Sequence, residues 1–213
     1  MKIRWKRALY CAAGTLAAAA LAGCALGPQM KEQPASYDFG PPRSHDATNP
    51  GITATLMLPE VTAPAWLDGQ GIVYRLSYEN AARPQAYAQS RWAAPPAALL
   101  TQRLRGRFAA ASASGIVTGS DGARADYALR VELEDFSQSF DAPNASRVAV
   151  RARATLVNIA SRTLIAQRVF TVERPAASPD ARGAVTALSA ASDDIVEGLL
   201  EWTGDRLKAP HPK

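Results

Sequence analysis

The chain is poor in the residues that most often carry chemistry. Of its 213 residues, two are cysteines and two are histidines. Cys11 lies in the N-terminal apolar run and Cys24 at its end, so no cysteine follows residue 24. That excludes a disulfide framework, a CxxC redox site and a cysteine nucleophile from the folded body. His45 and His211 fall in Pro- and polar-rich tails, which leaves the body no histidine for a catalytic triad or a zinc site. A basic excess is also missing where it would matter. The formal charge is +5, from 24 cations and 19 acids, but four cations (Lys2, Arg4, Lys6, Arg7) and no acid lie in the first 23 residues. The remainder carries 20 against 19, a net +1, so no nucleic-acid partner is expected. Lysine after residue 24 occurs only at 31, 208 and 213, and every cation of the body is therefore arginine. With 47% apolar and 20% charged residues, the chain has the composition of one ordinary globular domain with tails.

A membrane-spanning run is lacking too. Residues 8–21 are about 14 apolar positions, short of the ~20 that cross a ~30 Å hydrocarbon core. With the charged start before them and Leu21-Ala22-Gly23-Cys24 after, they have the layout of a secretory signal. The ending resembles the bacterial lipobox. That resemblance implies cleavage before Cys24, acylation of its thiol, and a signal peptide of residues 1–23. Several acyl chains, each methylene adding ~0.8 kcal/mol, hold far better than one. Ala25 in place of Asp favours outer-membrane delivery, by resemblance to the sorting rules of enteric bacteria.

Residues 24–51 are rich in Pro, Gly, Ser, Asn and Asp and suggest a lipidated tether, with a short strand at Tyr37-Asp38-Phe39. The ~26 residues from 25 to 50, at ~3.3 Å each, would reach up to about 85 Å. Residues 52–207 form the expected domain and 208–213 a tail. Within the domain, residues 53–59 suggest a strand, and residues 72–78 and 85–89 a hairpin. Pro95-Pro96 opens a helix in which Leu100, Leu104 and Phe108 recur every fourth residue. The Ser/Gly-rich stretch 112–122 suggests a flexible connector. Strands come next: Tyr127, Leu129, Val131 and Leu133 alternate with charge, as do Val148, Val150, Ala152, Ala154 and Leu156, and residues 164–172 continue the set. A second helix begins after the cap candidate Asp180, with Val185, Leu188, Ile195, Leu199 and Trp202 as its apolar stripe. The expected fold class is α+β: a largely antiparallel β-sheet covered by two main α-helices, in the order βββ-α-ββββ-α.

No constellation points to catalysis, and the chain is expected not to be an enzyme and to need no metal or cofactor beyond the lipid on Cys24. Glu132, Glu134 and Asp135 cluster on a strand end, where cross-strand pairing with arginines is the simpler account than acid–base work. Asp193-Asp194 in the second helix suggests a solvated face. The arginines suit an anionic lipid head or an acidic partner, and composition bias explains the same count. Trp66, Arg75, Tyr78, Arg91 and Trp92 are candidate partner-binding residues of an aromatic–Arg stretch, with core packing as the competing account.

The stretch also carries a family pattern. Leu58-Pro59, Pro64 and Leu67-Asp68 lead into Gly71-Ile72-Val73-Tyr74-Arg75, and then come a Tyr-bearing hairpin, Arg91-Trp92-Ala93 and a helix with Leu99-Leu100 and Leu104. This resembles the ABC-type transport auxiliary lipoprotein family, which includes the lipoprotein of the paraquat-inducible Pqi system, over about residues 37–205. Pro95-Pro96 departs from the family's non-proline helix start. The resemblance implies an outer-membrane-anchored lipoprotein facing the periplasm, docking the periplasmic MCE protein of an ABC lipid transporter and assisting intermembrane lipid transport. It also implies homo-oligomeric rings. The competing reading is an envelope or outer-membrane assembly lipoprotein with no link to transport.

Overall fold

The computed structural model describes residues 33–43 and 51–208. Cys24, the signal peptide, most of the expected tether and residues 209–213 lie outside the described residues.

The strongest alternation in the sequence builds the centre of the sheet. In β7 (Ala145–Asn158) Val148, Val150, Ala152, Ala154 and Leu156 are fully buried, while Arg147 and Arg151 face outward. β7 pairs antiparallel with β6 (Tyr127–Ala142) on one side and β8 (Thr163–Pro175) on the other. The opposite edge of β6 is shared by shorter, parallel neighbours. β2 (Leu56–Met57) pairs with its start, and β3 (Gly71–Leu76) pairs with Gln138, Ser139 and Phe140 near its end. β4 (Gln85–Trp92) runs antiparallel to β3, β1 (Ala35–Tyr37) lies parallel to β4, and β5 (Ile116–Val117) lies parallel to β2. The result is one mixed sheet of eight strands, antiparallel in its long strands and parallel at its short additions.

Three differences from the sequence expectation have physical causes. β6 continues well past residue 133, because a register shift between Leu133 and Asp135 makes Glu134 an extra residue. Before it Leu129, Val131 and Leu133 point inward; after it Phe136, Gln138 and Phe140 do. A period-two reading loses the strand at that slip. The connector 112–122 contains β5, too short for any periodicity to show. The folded unit starts at Pro34 and so takes in residues 34–43 of the 24–51 tether.

Among the described residues three α-helices complete the fold: α1 (Ser77–Asn80), which takes the end of the expected strand 72–78 and the start of the turn after it, α2 (Pro96–Ala111) and α3 (Ala181–Lys208). Pro96 opens α2, where its missing N–H has no partner to lose, and Leu100, Leu104 and Phe108 form the buried stripe. α3 packs on β7 and β8 through Ala184, Leu188, Ala191, Ile195 and Leu199. Asp180 caps it: Oδ1 accepts from the Gly183 N–H at 2.8 Å and the Ser178 hydroxyl at 2.7 Å. Gly183 is required there, since a Cβ would stand 2.1 Å from the Ser178 carbonyl oxygen. No helix among the described residues is long and apolar enough to cross a membrane.

Candidate functional site

The aromatic–Arg stretch divides between core and surface. Trp92, at the end of β4, is fully buried. Its ring meets Phe39 edge-on and Phe136 at a steep tilt, each at 5.6 Å, and its Nε1 has no hydrogen-bond partner among the described residues. Trp66 is 39% exposed, and the Arg75 guanidinium lies 5.0 Å from the centre of its ring. Arg75 also donates to the Ala81 carbonyl at 3.2 Å, which ties the ring pair to the turn after α1. Tyr78, on α1, is 43% exposed, and Arg91 is exposed on β4. The structure thus brings Trp66 and Arg75 together, sets Tyr78 and Arg91 on the surface, and places Trp92 inside. Lipidation of Cys24 falls outside the described residues.

Of the β6 carboxylates, Glu134 and Asp141 sit in ion pairs with arginines of β7, while Asp135 accepts from the Ser137 hydroxyl at 2.8 Å and Glu132 is exposed. Glu134, at the bulge, accepts from Arg151 Nε at 2.6 Å and Arg153 Nε at 2.7 Å. The Arg151 hydrogen bond first, and that of Arg153 with it, hold the Glu134 carboxyl below its ordinary value.

A second surface was not legible as a site. Residues 38–43, directly after β1, form a strap across α2 and α3. Phe39 drops into the core against Trp92 and Phe136, and Gly40 turns the chain with a φ of +65°. Arg103 of α2, its side chain only 8% exposed, grips the strap from below. Its Nη2 donates to the Phe39 carbonyl at 2.7 Å and the Gly40 carbonyl at 2.8 Å. Its Nη1 lies 3.2 Å from Asp193 Oδ1, in ion-pair contact but off the angle of a hydrogen bond. Arg43 reaches α3 from the strap, with Nη1 2.8 Å from Asp194 and Nε 3.4 Å from Asp193. Arg174 of β8 binds the other Asp194 oxygen at 2.7 Å. Arg107 of α2 makes a bidentate pair with Glu197 at 2.6 and 3.0 Å. Asp193-Asp194 is therefore no solvated face: the strap, a helix and a strand all send guanidiniums to it. The signal that was present is a pair of matching spacings, Arg103/Arg107 on α2 and Asp193/Glu197 on α3, each one helical turn apart.

Between the strap and the two helices lies a cavity of about 530 Å³. Leu99, Val196 and Phe39 line its apolar part, and Gly106 and Ala110 leave it room. A further hollow of about 380 Å³ lies on the other side of the strap, against Val185, Thr186 and Ser189 of α3.

Known proteins share this fold. The family model described as ABC-type transport auxiliary lipoprotein component matches residues 37–199. A crystal structure of a Xanthomonas campestris protein assigned to the DUF330 family is 20% identical, with a TM-score of 0.66 over 83% of this chain and 94% of its own. Another crystal structure, of an uncharacterized protein, is 18% identical with a TM-score of 0.60 over 81% of this chain and 99% of its own. At these identities the likeness to the solved structures is one of fold. No curated protein matches.

Proposed function

The chain belongs to the ABC-type transport auxiliary lipoprotein family, and from that premise we propose that it is the outer-membrane-anchored docking component of an MCE-type ABC lipid transporter. Acylated Cys24 is the anchor, the domain faces the periplasm, and the periplasmic MCE protein is the partner. The observation that carries the reading is the family match over residues 37–199 together with the lipobox at Leu21-Ala22-Gly23-Cys24. Ala25 after the acylated residue supports the outer membrane over the inner.

The work is binding, with no chemical step and no cofactor beyond the lipid. Glu134 is engaged by two arginines, which suits a structural carboxylate better than a general acid. The exposed Trp66–Arg75 pair is the surface we assign to partner contact, with Tyr78 and Arg91 as its neighbours in sequence. Tryptophan, tyrosine and arginine side chains are the usual anchors of interfaces.

Photo-crosslinking in cells tests this, with a photoreactive residue at position 66 or 78 in turn. The expected result is an adduct containing the MCE protein from position 66. Adducts confined to assembly factors of the outer membrane, with none to the MCE protein, permease or ATPase, would overturn the transport role.

A further inference from the structure

We infer that the Trp66–Arg75 pair is a seat for a carboxylate, brought by an acidic residue of the partner that stands beside an apolar one. The inference rests on the assignment of this pair to partner contact and names the chemistry the partner carries. It starts from an unbalanced charge. Arg75 is partly buried on β3, and among the described residues its guanidinium meets no carboxylate. Nη1 donates to the Ala81 carbonyl at 3.2 Å, and the group lies 5.0 Å from the centre of the Trp66 ring. A neutral carbonyl and a ring face do not balance a cation that has lost part of its water. The other partly buried arginines are better matched. Arg103, Arg107, Arg153 and Arg174 each contact a carboxylate, and Arg105 turns two donors to the Leu58 carbonyl. Arg75 has the fewest acceptors of the set, and it is the one beside an exposed tryptophan.

The geometry fits a carboxylate. The Nε–Nη2 edge of Arg75 has no acceptor among the described residues. The same edge of Arg107 holds both oxygens of Glu197, at 2.6 and 3.0 Å. The ring contact and the Nη1 hydrogen bond fix the Arg75 guanidinium, so its fork is oriented before a partner arrives. Trp66 is fixed as well. It lies in a 3₁₀ turn, Ala65–Leu67, whose Leu67 is 1% exposed and donates its N–H to the Pro64 carbonyl at 2.8 Å. An apolar side chain beside the acid covers the open part of the ring and removes water from the ion pair, which strengthens it. An anionic membrane surface suits this place less. Such a surface is held by a cluster of cations, and from residue 24 on the chain carries 20 cations against 19 acids.

The tryptophan supplies the readout. From residue 24 on there are three, and Trp92 and Trp202 are buried. The protein is the chain from residue 24 with Cys24→Ser, and Trp66→Phe identifies the Trp66 indole N–H resonance. The probes are the blocked peptides acetyl-Leu-Glu-Leu-amide and acetyl-Leu-Gln-Leu-amide at millimolar concentration, with phosphatidylglycerol vesicles as a third. The glutamate peptide should shift the Trp66 resonance and bind at least roughly tenfold tighter than its glutamine isostere, the factor a charged hydrogen-bonded pair supplies. Added salt should weaken it. Arg75→Lys, which keeps the charge and loses the fork, should weaken binding while the Trp92 and Trp202 resonances stay in place and report an intact fold. Equal binding of the two peptides, no shift from the glutamate peptide, or undiminished binding by Arg75→Lys would overturn the seat. So would a Trp66 shift from the vesicles alone, which makes the anion a lipid head. An MCE adduct from position 66 without any preference between the peptides overturns the seat and leaves the docking role. The preference without that adduct does the reverse.

Discussion

Tyr87 shows how one side chain records its surroundings. Its hydroxyl donates to Gln138 Oε1 at 2.7 Å, and Gln138 is fully buried. Burial first, with the Asp180 charge adding to it, pushes the phenol up to about 12, against ~10 for a free tyrosine. The folded state therefore holds this proton more tightly than the unfolded chain. Its contribution is complete below pH ~10 and is lost as pH rises through about 12. Tyr87→Phe should cost about 1–2 kcal/mol at neutral pH, because Gln138 Oε1 loses its donor. That deficit should shrink by about pH 11, where the parent has begun to lose what the variant never had. Urea unfolding of both proteins at the two pH values measures it. Residue scale is also where the sequence was hardest to interpret. Trp92 and Trp66 have the same side-chain chemistry, yet one is fully buried and the other 39% exposed. Only the partners that fold against them, Phe39 and Phe136 in one case and Arg75 in the other, separate them. Asp193-Asp194 misled for the same reason, since its arginines come from up to 151 residues away along the chain.

Two helical glycines make opposite demands on their elements. At Gly106 of α2 an added methyl meets nothing, so Gly106→Ala gains helix propensity and should stabilise by about 0.5–1 kcal/mol. At Gly183 of α3 the same methyl would stand 2.1 Å from the Ser178 carbonyl oxygen. Gly183→Ala should therefore destabilise by about 1–3 kcal/mol in spite of the better propensity, because the capping turn 178–183 must open. Thermal melts of the two variants should move in opposite directions, and a common direction would show that propensity alone governs both. Elements were legible where burial and period agree. β7 keeps a strict alternation from Val148 to Leu156, α2 repeats every four residues, and Asp180 announced the start of α3. β6 was legible only up to its bulge, where Glu134 changes which parity faces inward. β2 and β5, two residues each, exist only because a neighbour offers an edge, β6 to β2 and β2 in turn to β5. The α+β class survived these misses, since the long strands and the two long helices settle it.

For the whole molecule, the expected anchor has a direct test. Cys24→Ser should move the protein from the membrane to the soluble fraction of the envelope, with an unchanged melting temperature for the domain, as fractionation and circular dichroism would show. Retention in the membrane would contradict anchoring through that residue. The strap decides how far the domain can stand from such an anchor. The apparent tether of residues 24–51 promised a reach of up to about 85 Å. Its middle, however, is pinned: the folded unit begins at Pro34, β1 is bonded to β4, Phe39 is in the core, and Arg103 and Arg43 clamp the strap to the helices. Only ten peptide steps separate Cys24 from Pro34, at most about 33 Å at ~3.3 Å each. On the proposed anchoring through Cys24, the domain would be held close to its bilayer on a short leash. Under that proposal a partner would have to bring its own length to the membrane, and the domain would hold the far end once it arrives.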